Sequence, residues 1–211
     1  MADATQPPPP QIIHEAGIVR HVPRETLANV RLLVCGDGAV GKTSLLRSLA
    51  KSGPFTHEYS MTAVPLVSHV SAPVADAAPP AAVTFICVDT PGAAVHHQRP
   101  GGSGLVRGVA AGARAIALCF DVANRESLTS AGKCLQRAGA EARDGVPGVL
   151  IGCKADLRGE GAGARDVVGV AEAAHMAAQL GLKYFECSAL SGAGVAEPFA
   201  WLAGEVAHGI L

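Results

Sequence analysis

The sequence contains Gly36-Asp37-Gly38-Ala39-Val40-Gly41-Lys42-Thr43, which fits the pattern G-x-x-x-x-G-K-[ST]. A strand-like run, residues 31–35, comes directly before it, and a helical pattern, residues 44–49, comes directly after it. Glycines let a backbone wrap closely around a phosphate group, and the N–H groups at the start of a helix attract its negative charge. This stretch therefore predicts a phosphate-binding loop between a strand and a helix.

Outside this loop, apolar strand-like runs alternate with longer helical patterns. The second and third runs are joined by residues 75–80 with no helical pattern between them, so we expect this pair to form an antiparallel hairpin. The expected fold class is α/β, with a six-stranded, mostly parallel sheet that has one antiparallel hairpin strand and is flanked by helices. We predict strands at residues 30–35, 64–74, 83–89, 115–121, 148–153 and 183–187, and helices at residues 42–51, 124–143, 167–180 and 195–208.

Length and composition favour one domain without a membrane span or a nucleic-acid surface. The chain has 211 residues, a formal net charge of −1 and 17% charged residues, and no stretch is strongly basic. No apolar run reaches the roughly 18 residues of a membrane span. Because residues 7–10 are all proline, we expect a Pro-containing, flexible N-terminal extension at residues 1–29, followed by the domain at residues 30–211.

The cysteines bear on the cellular compartment. Six cysteines are spread along the chain without a C-x-x-C pair, which favours buried free thiols over disulfides or a zinc site. The first residues also lack the pattern of a secretory signal. We therefore expect a cytosolic location.

Two elements predict the contacts to phosphate and magnesium. Lys42 is expected to reach the β and γ phosphates, and the hydroxyl of Thr43 to bind Mg²⁺. After the third strand, Asp89-Thr90-Pro91-Gly92 is a D-x-x-G element, in which the Asp would hold Mg²⁺ through water and the Gly N–H would meet the γ-phosphate. The residues expected to contact phosphate in these two elements are Asp37, Gly38, Ala39, Val40, Gly41, Lys42, Thr43, Ser44 and Gly92.

Two later elements indicate the base. Cys153-Lys154-Ala155-Asp156 follows a predicted strand and is close to the pattern N-K-x-D. The carboxylate of Asp156 can accept hydrogen bonds from N1–H and the exocyclic amine of guanine, which adenine does not offer, while Lys154 would lie over the ring. Taken alone, the tetrad is also compatible with a solvated turn. Ser188 and Ala189 follow the last strand and would offer backbone N–H groups to guanine O6, at the sheet edge where open α/β folds bind ligands.

Taken together, these elements resemble the Ras-like small GTPases over residues from about 30 to 208, with Tyr59-Ser60-Met61-Thr62 in the place of switch I. The resemblance implies a P-loop small GTPase fold that binds GTP or GDP with Mg²⁺. It also implies that Thr62 contacts Mg²⁺ and the γ-phosphate in the GTP state.

Within the family, the sequence is most similar to the Rab-like GTPases of intraflagellar transport. Some nucleotide-site segments, residues 36–43, 152–158 and 184–190, also look like Rho proteins. The resemblance implies a soluble subunit of the intraflagellar transport B complex, held by protein partners that include a small β-sandwich subunit, in the cytoplasm and the cilium or flagellum. The segments that carry this likeness are residues 59–67, 72–74, 120–127, 147–152 and 197–199.

Three departures from the family pattern bear on mechanism. Ala93 stands where the family carries the water-orienting Gln, so no catalytic residue is assigned and the chain is expected to be at most a slow GTPase. Cys153 replaces an Asn that ties the base loop to the phosphate loop, which predicts weaker but still guanine-selective binding. No cysteine follows Cys187, which argues against a lipid anchor. A Rho-like signalling switch and a nucleotide-bound scaffold without meaningful hydrolysis remain the alternatives.

Overall fold

The computed structural model describes residues 26–50, 66–75, 77, 81–89, 112–137, 146–158 and 167–209. The strands are β1 (Thr26–Gly36), β2 (Leu66–Pro73), β3 (Ala82–Asp89), β4 (Ala115–Asp121), β5 (Gly148–Cys153) and β6 (Lys183–Glu186). The helices are α1 (Lys42–Ala50), α2 (Arg125–Arg137), α3 (Val170–Gln179) and α4 (Glu197–His208), with a 3₁₀ helix at Ala155–Arg158.

The strands form one sheet in the order β2-β3-β1-β4-β5-β6. β2 and β3 are antiparallel, with Leu66 opposite Asp89 and Pro73 opposite Ala82, and the other neighbouring pairs are parallel. The predicted fold class and the hairpin are therefore confirmed. Because parallel strands point the same way, the loops that follow β1, β3, β4, β5 and β6 all leave the same edge of the sheet.

The first strand is longer than the sequence pattern indicates. β1 begins at Thr26, four residues before the predicted strand, because Thr26 and Ala28 pair with Ala82 and Val83 of β3. Residues 26–29, predicted to lie in the N-terminal extension, thus belong to the sheet. The rest of that extension lies outside the described residues. The predicted helix at residues 124–143 corresponds to α2, and residues 138–145 also lie outside the described residues.

Helices cover both faces of the sheet and bury its core. Leu45, Leu49, Phe199 and Leu202 of α1 and α4 pack on one face, and the side chains of α2 and α3 pack on the other. Burial of one such side chain contributes about 1.5–3 kcal/mol. The six cysteines are free and buried, as predicted. No helix in the described part of the chain has the length and apolar character that crossing a membrane requires.

Candidate functional site

The loop between β1 and α1 has a backbone that only glycine allows at two positions. Gly36 has φ 145° and Gly41 has φ 109°, both in the region that side chains disfavour. A Cβ on Gly36 would also lie 2.2 Å from the carbonyl oxygen of Cys119. Gly36 and Gly41 are therefore required by the path of this chain, which turns tightly against β4 before α1 begins.

Lys42 is buried within the loop, with only 6% of its surface exposed. Its ammonium donates hydrogen bonds to the carbonyl oxygens of Gly36, at 3.1 Å, and Asp37, at 2.7 Å. An ammonium has three N–H donors, so bonds to these two described carbonyls leave a third donor for a phosphate oxygen. The side chain is held in position by the loop that would bind the phosphate.

Thr43 and Asp89 meet beside this loop, although 46 positions separate them in the sequence. The Thr43 hydroxyl donates to Asp89 Oδ2 at 2.5 Å, and Asp89 is 1% exposed. Burial raises the pKa of the Asp89 carboxyl, which the hydrogen bond from Thr43 and the charges of Lys42 and Arg47 partly oppose. Asp89 Oδ1 is buried without a hydrogen-bond partner among the described residues. An uncompensated buried carboxylate oxygen next to a hydroxyl fits a hard divalent cation.

Mg²⁺ suits this pair of oxygen donors. It prefers oxygen ligands, keeps several waters and usually takes only one or two carboxylates together with phosphate oxygens. Within the described ranges, no group of three or more His, Cys, Asp and Glu side chains could hold a metal ion. Among the described residues, Thr43 and Asp89 would hold a cation here, together with water and the ligand. The other residues assigned to phosphate or metal, Thr62 and Gly92, lie outside the described residues, as does Ala93.

The base-reading tetrad lies at the end of β5, and its lysine is fixed by a partner that the sequence analysis missed. Lys154 Nζ forms an ion pair of 2.6 Å with Asp121 Oδ2, and Asp121 Oδ1 accepts the N–H of Ala123 at 2.9 Å. Lys154 also has a left-handed backbone, with φ 62°. The position of Asp121 could have indicated this role, because Asp121 is a carboxylate at the end of a buried strand, at the edge of the sheet where ligands bind.

Asp156 and Ser188 come together although they follow different strands. Ser188 Oγ donates to Asp156 Oδ1 at 2.5 Å, and the N–H of Ala155 donates to the carbonyl of Cys187 at 3.0 Å. Asp156 is exposed, whereas Ser188 is 2% exposed. The structure thus joins the two predicted base-contacting segments at the edge of the sheet that holds the phosphate loop. The N–H of Ser188, predicted to meet guanine O6, instead donates to the carbonyl of Ala193 at 2.8 Å, and the N–H of Ala189 remains the predicted donor.

Cys153 lies where the base segment touches the phosphate loop. A Cβ placed on Gly41 would be 3.3 Å from the Cβ of Cys153, so the two segments are in contact through this residue. Its thiol lies among those of Cys119 and Cys187, and these neighbours together with burial raise the pKa of the Cys153 thiol. The junction is therefore made by packing, with a weak hydrogen-bonding group at its centre.

Cys153→Asn is expected to strengthen nucleotide binding. A carboxamide supplies a donor and an acceptor at the junction, and one such hydrogen bond contributes about 1 kcal/mol, or roughly fivefold in Kd. Titration with a fluorescent GDP analogue measures the change. Cys153→Ala serves as the control, because it keeps a small side chain without adding hydrogen bonds. Equal or weaker affinity in a folded Cys153→Asn variant would contradict the expectation.

The sequence is similar to known proteins over most of its length. The sequence profile of the Ras family matches residues 31–208. The chain is 29% identical over 180 residues to the bovine intraflagellar transport protein 27 homolog, and the aligned region covers 84% of this chain and 90% of the relative. It is 30% identical over 176 residues to Ras-related protein RabG2 of Dictyostelium discoideum, covering 83% and 81%. It is 31% identical over 180 residues to GTP-binding protein Rho1 of Kluyveromyces lactis, covering 80% and 79%.

Proposed function

The chain belongs to the Ras family of small GTPases, and we propose that it binds GTP and GDP with Mg²⁺, hydrolyses GTP slowly and acts as a subunit of intraflagellar transport. The observation that carries the nucleotide assignment is the direct hydrogen bond between Asp156 and Ser188, on the edge of the sheet that also presents Lys42. This arrangement supports a ligand with a phosphate group at one end and a guanine at the other.

Each residue of the site has a role in this proposal. Lys42 would donate its remaining N–H to a phosphate oxygen, and Thr43 and Asp89 would hold Mg²⁺. When bound, Mg²⁺ would neutralise part of the negative charge of the phosphate groups. Asp156 would accept from guanine N1–H and the exocyclic amine, Ala189 would offer its N–H to O6, and Lys154, held by Asp121, would cover the ring. The N–H of Ser188 already donates to the carbonyl of Ala193, so Ser188 would act through its hydroxyl, which donates to Asp156. Competition between GDP and ADP tests the assignment, because equal affinity for both would exclude Asp156 as a guanine reader.

Slow hydrolysis is supported by the sequence at position 93. Ala93 cannot orient a water molecule, so Ala93→Gln is expected to raise the single-turnover rate of GTP hydrolysis by about tenfold or more. Ala94→Gln is the matched control, since it adds the same group one position further along the chain. A wild-type rate equal to that of ordinary small GTPases, or no gain in Ala93→Gln, would show that Ala93 does not limit the reaction.

The role in intraflagellar transport is supported by the similarity to the bovine intraflagellar transport protein 27 homolog over 90% of its length. The proposed partners are subunits of the transport B complex, including a small β-sandwich subunit, in the cilium or flagellum. The similarity to Rho1 supports a Rho-like signalling switch as the second candidate. A third candidate is a transport scaffold whose bound nucleotide is structural.

Pull-downs from ciliated or flagellated cells, with the chain loaded with GDP or a non-hydrolysable GTP analogue, separate these candidates. Capture of transport subunits that depends on the nucleotide supports a switching subunit, and equal capture in both states supports the scaffold. Capture of GTP-dependent partners without any transport subunit would favour the Rho-like switch and overturn the transport role.

A further inference from the structure

Arg158 joins the two base-reading segments at a point outside the site itself. It is the last residue of the 3₁₀ helix that contains Asp156, and Glu186 is the last residue of β6, two positions before Ser188. Arg158 Nε donates to Glu186 Oε2 at 2.8 Å, and Nη2 donates to Glu186 Oε1 at 2.7 Å. Both donors of one guanidinium edge thus meet both oxygens of one carboxylate, the geometry that fixes direction as well as distance.

Two further bonds hold this pair in place. Arg158 Nη1 donates to the carbonyl of Val168 at 2.7 Å, just before α3 begins. The hydroxyl of Tyr184 donates to Glu186 Oε1, and burial together with this carboxylate raises the pKa of Tyr184. We call the bidentate pair of Arg158 and Glu186 the Arg158–Glu186 clamp. It connects the 3₁₀ helix, β6 and the start of α3.

Asp156 needs such support because it lies on an exposed turn. Its carboxylate has to direct both oxygens at the two donors of guanine while it also accepts from Ser188. A short 3₁₀ helix of four residues can change its orientation, and the carboxylate of Asp156 would turn with it. The hydrogen bond from Ser188 constrains only one of the two carboxylate oxygens. Arg158 of the clamp lies on the same short helix, two residues after Asp156, and it bonds to Glu186 of β6, the strand that precedes Ser188.

We propose that Arg158 and Glu186 are positioning residues for base specificity, which act by aligning Asp156 with the exocyclic amine of guanine. This inference rests on the proposed guanine binding and adds two residues that do not contact the nucleotide. A second Arg–Glu pair in the chain offers a comparison. Arg125 and Glu172 also form an ion pair, and Arg125 bonds to the carbonyl of Val167, but that pair joins α2 to α3 rather than one base segment to the other.

The two pairs also differ in exposure. The side chains of the clamp are each 22% exposed, whereas those of Arg125 and Glu172 are 47% and 38% exposed. Exposed ion pairs contribute little to stability and hold no single geometry, while less exposed bidentate pairs are stronger and directional. Substitution of Arg125 is therefore the control, because it removes a surface ion pair and is expected to leave the alignment of Asp156 unchanged.

The test measures the ratio of the affinities of the full-length chain for GDP and for inosine diphosphate, which lacks the exocyclic amine. The wild type is expected to prefer GDP by roughly tenfold or more, because one charge-assisted hydrogen bond is at stake. Arg158→Lys keeps the charge but loses the two-pronged geometry. It is expected to weaken GDP binding by about tenfold, as outer partners of ligand-binding groups do, and to weaken inosine diphosphate binding by a clearly smaller factor, because inosine keeps only the N1–H contact to Asp156. Glu186→Gln should act in the same direction.

The outcomes separate this inference from the proposed function. A reduced ratio in Arg158→Lys or Glu186→Gln, with the wild-type ratio kept in Arg125→Lys, supports the clamp. Equal losses of affinity for both nucleotides, or an unchanged ratio in both clamp variants, would limit the pair to structural support and overturn the inference. A wild type that binds GDP and ADP equally would instead overturn guanine recognition itself. If one clamp variant does not fold, the other decides.

Discussion

Asp156→Asn is expected to reverse the base preference of the chain from guanine to xanthine. Xanthine carries a carbonyl where guanine carries its exocyclic amine, and an Asn side chain can donate to that carbonyl while it accepts from N1–H. With guanine, the same amide would place one NH₂ group against another. Loss of the charge-assisted bonds to guanine costs about 3 kcal/mol or more, which lowers GDP affinity by roughly 100-fold.

Competition between GDP and xanthosine diphosphate measures this reversal. Asp37→Asn is the matched control, because Asp37 is a carboxylate of the phosphate loop that accepts the N–H of Gly38 at 2.7 Å. That substitution should change the affinities for both nucleotides by a similar factor and leave their ratio unchanged. If Asp156→Asn still prefers GDP to xanthosine diphosphate, then Asp156 does not read the base.

Lys42→Ala is expected to remove most of the affinity for nucleotide. The substitution deletes the buried ammonium that would meet the phosphates, and it also deletes the bonds that hold the carbonyls of Gly36 and Asp37. Truncation of a buried, hydrogen-bonded charge costs about 2–5 kcal/mol, and the middle of that range corresponds to a loss of several hundredfold in Kd.

Titration with fluorescent GDP gives the affinity, and thermal unfolding of the nucleotide-free protein shows whether the loop still folds. Lys133→Ala removes an exposed lysine on α2 and should leave the affinity unchanged. A Kd for Lys42→Ala within about threefold of wild type would mean that the loop binds phosphate through its backbone N–H groups alone.

The buried strands were the easiest part of the fold to predict. The predicted bounds of β4 and β5 agree with the structure at both ends, because every residue of β5 and nearly all of β4 are buried and form continuous apolar runs. The start of β1 was missed for a physical reason. Leu27 and Asn29 are exposed, so the pattern there is weak, and the strand continues only because its backbone pairs with β3.

The candidate site also has parts that could be predicted from the sequence and contacts that could not. The phosphate loop could be predicted from the sequence, because its glycines, lysine and threonine lie at fixed spacing within eight consecutive residues, and local backbone geometry requires glycine at positions 36 and 41. Asp156 and Ser188 could be predicted as separate base-reading elements, because each follows a strand that ends at the same edge. Their hydrogen bond to each other joins loops 32 positions apart, and no local pattern contains it.

The amino-acid sequence by itself determined the family and the sheet, and it predicts which groups would bind phosphate, Mg²⁺ and base. These depend on residue type, spacing and apolar periodicity, which are local properties. Only the tertiary structure decided that Asp121 holds Lys154, that Cys153 packs against the phosphate loop and that Arg158 grips Glu186. The two ion pairs join charged side chains and the Cys153 contact is made by packing, but all three lie at or just after strand ends, where the register of neighbouring strands determines which groups meet.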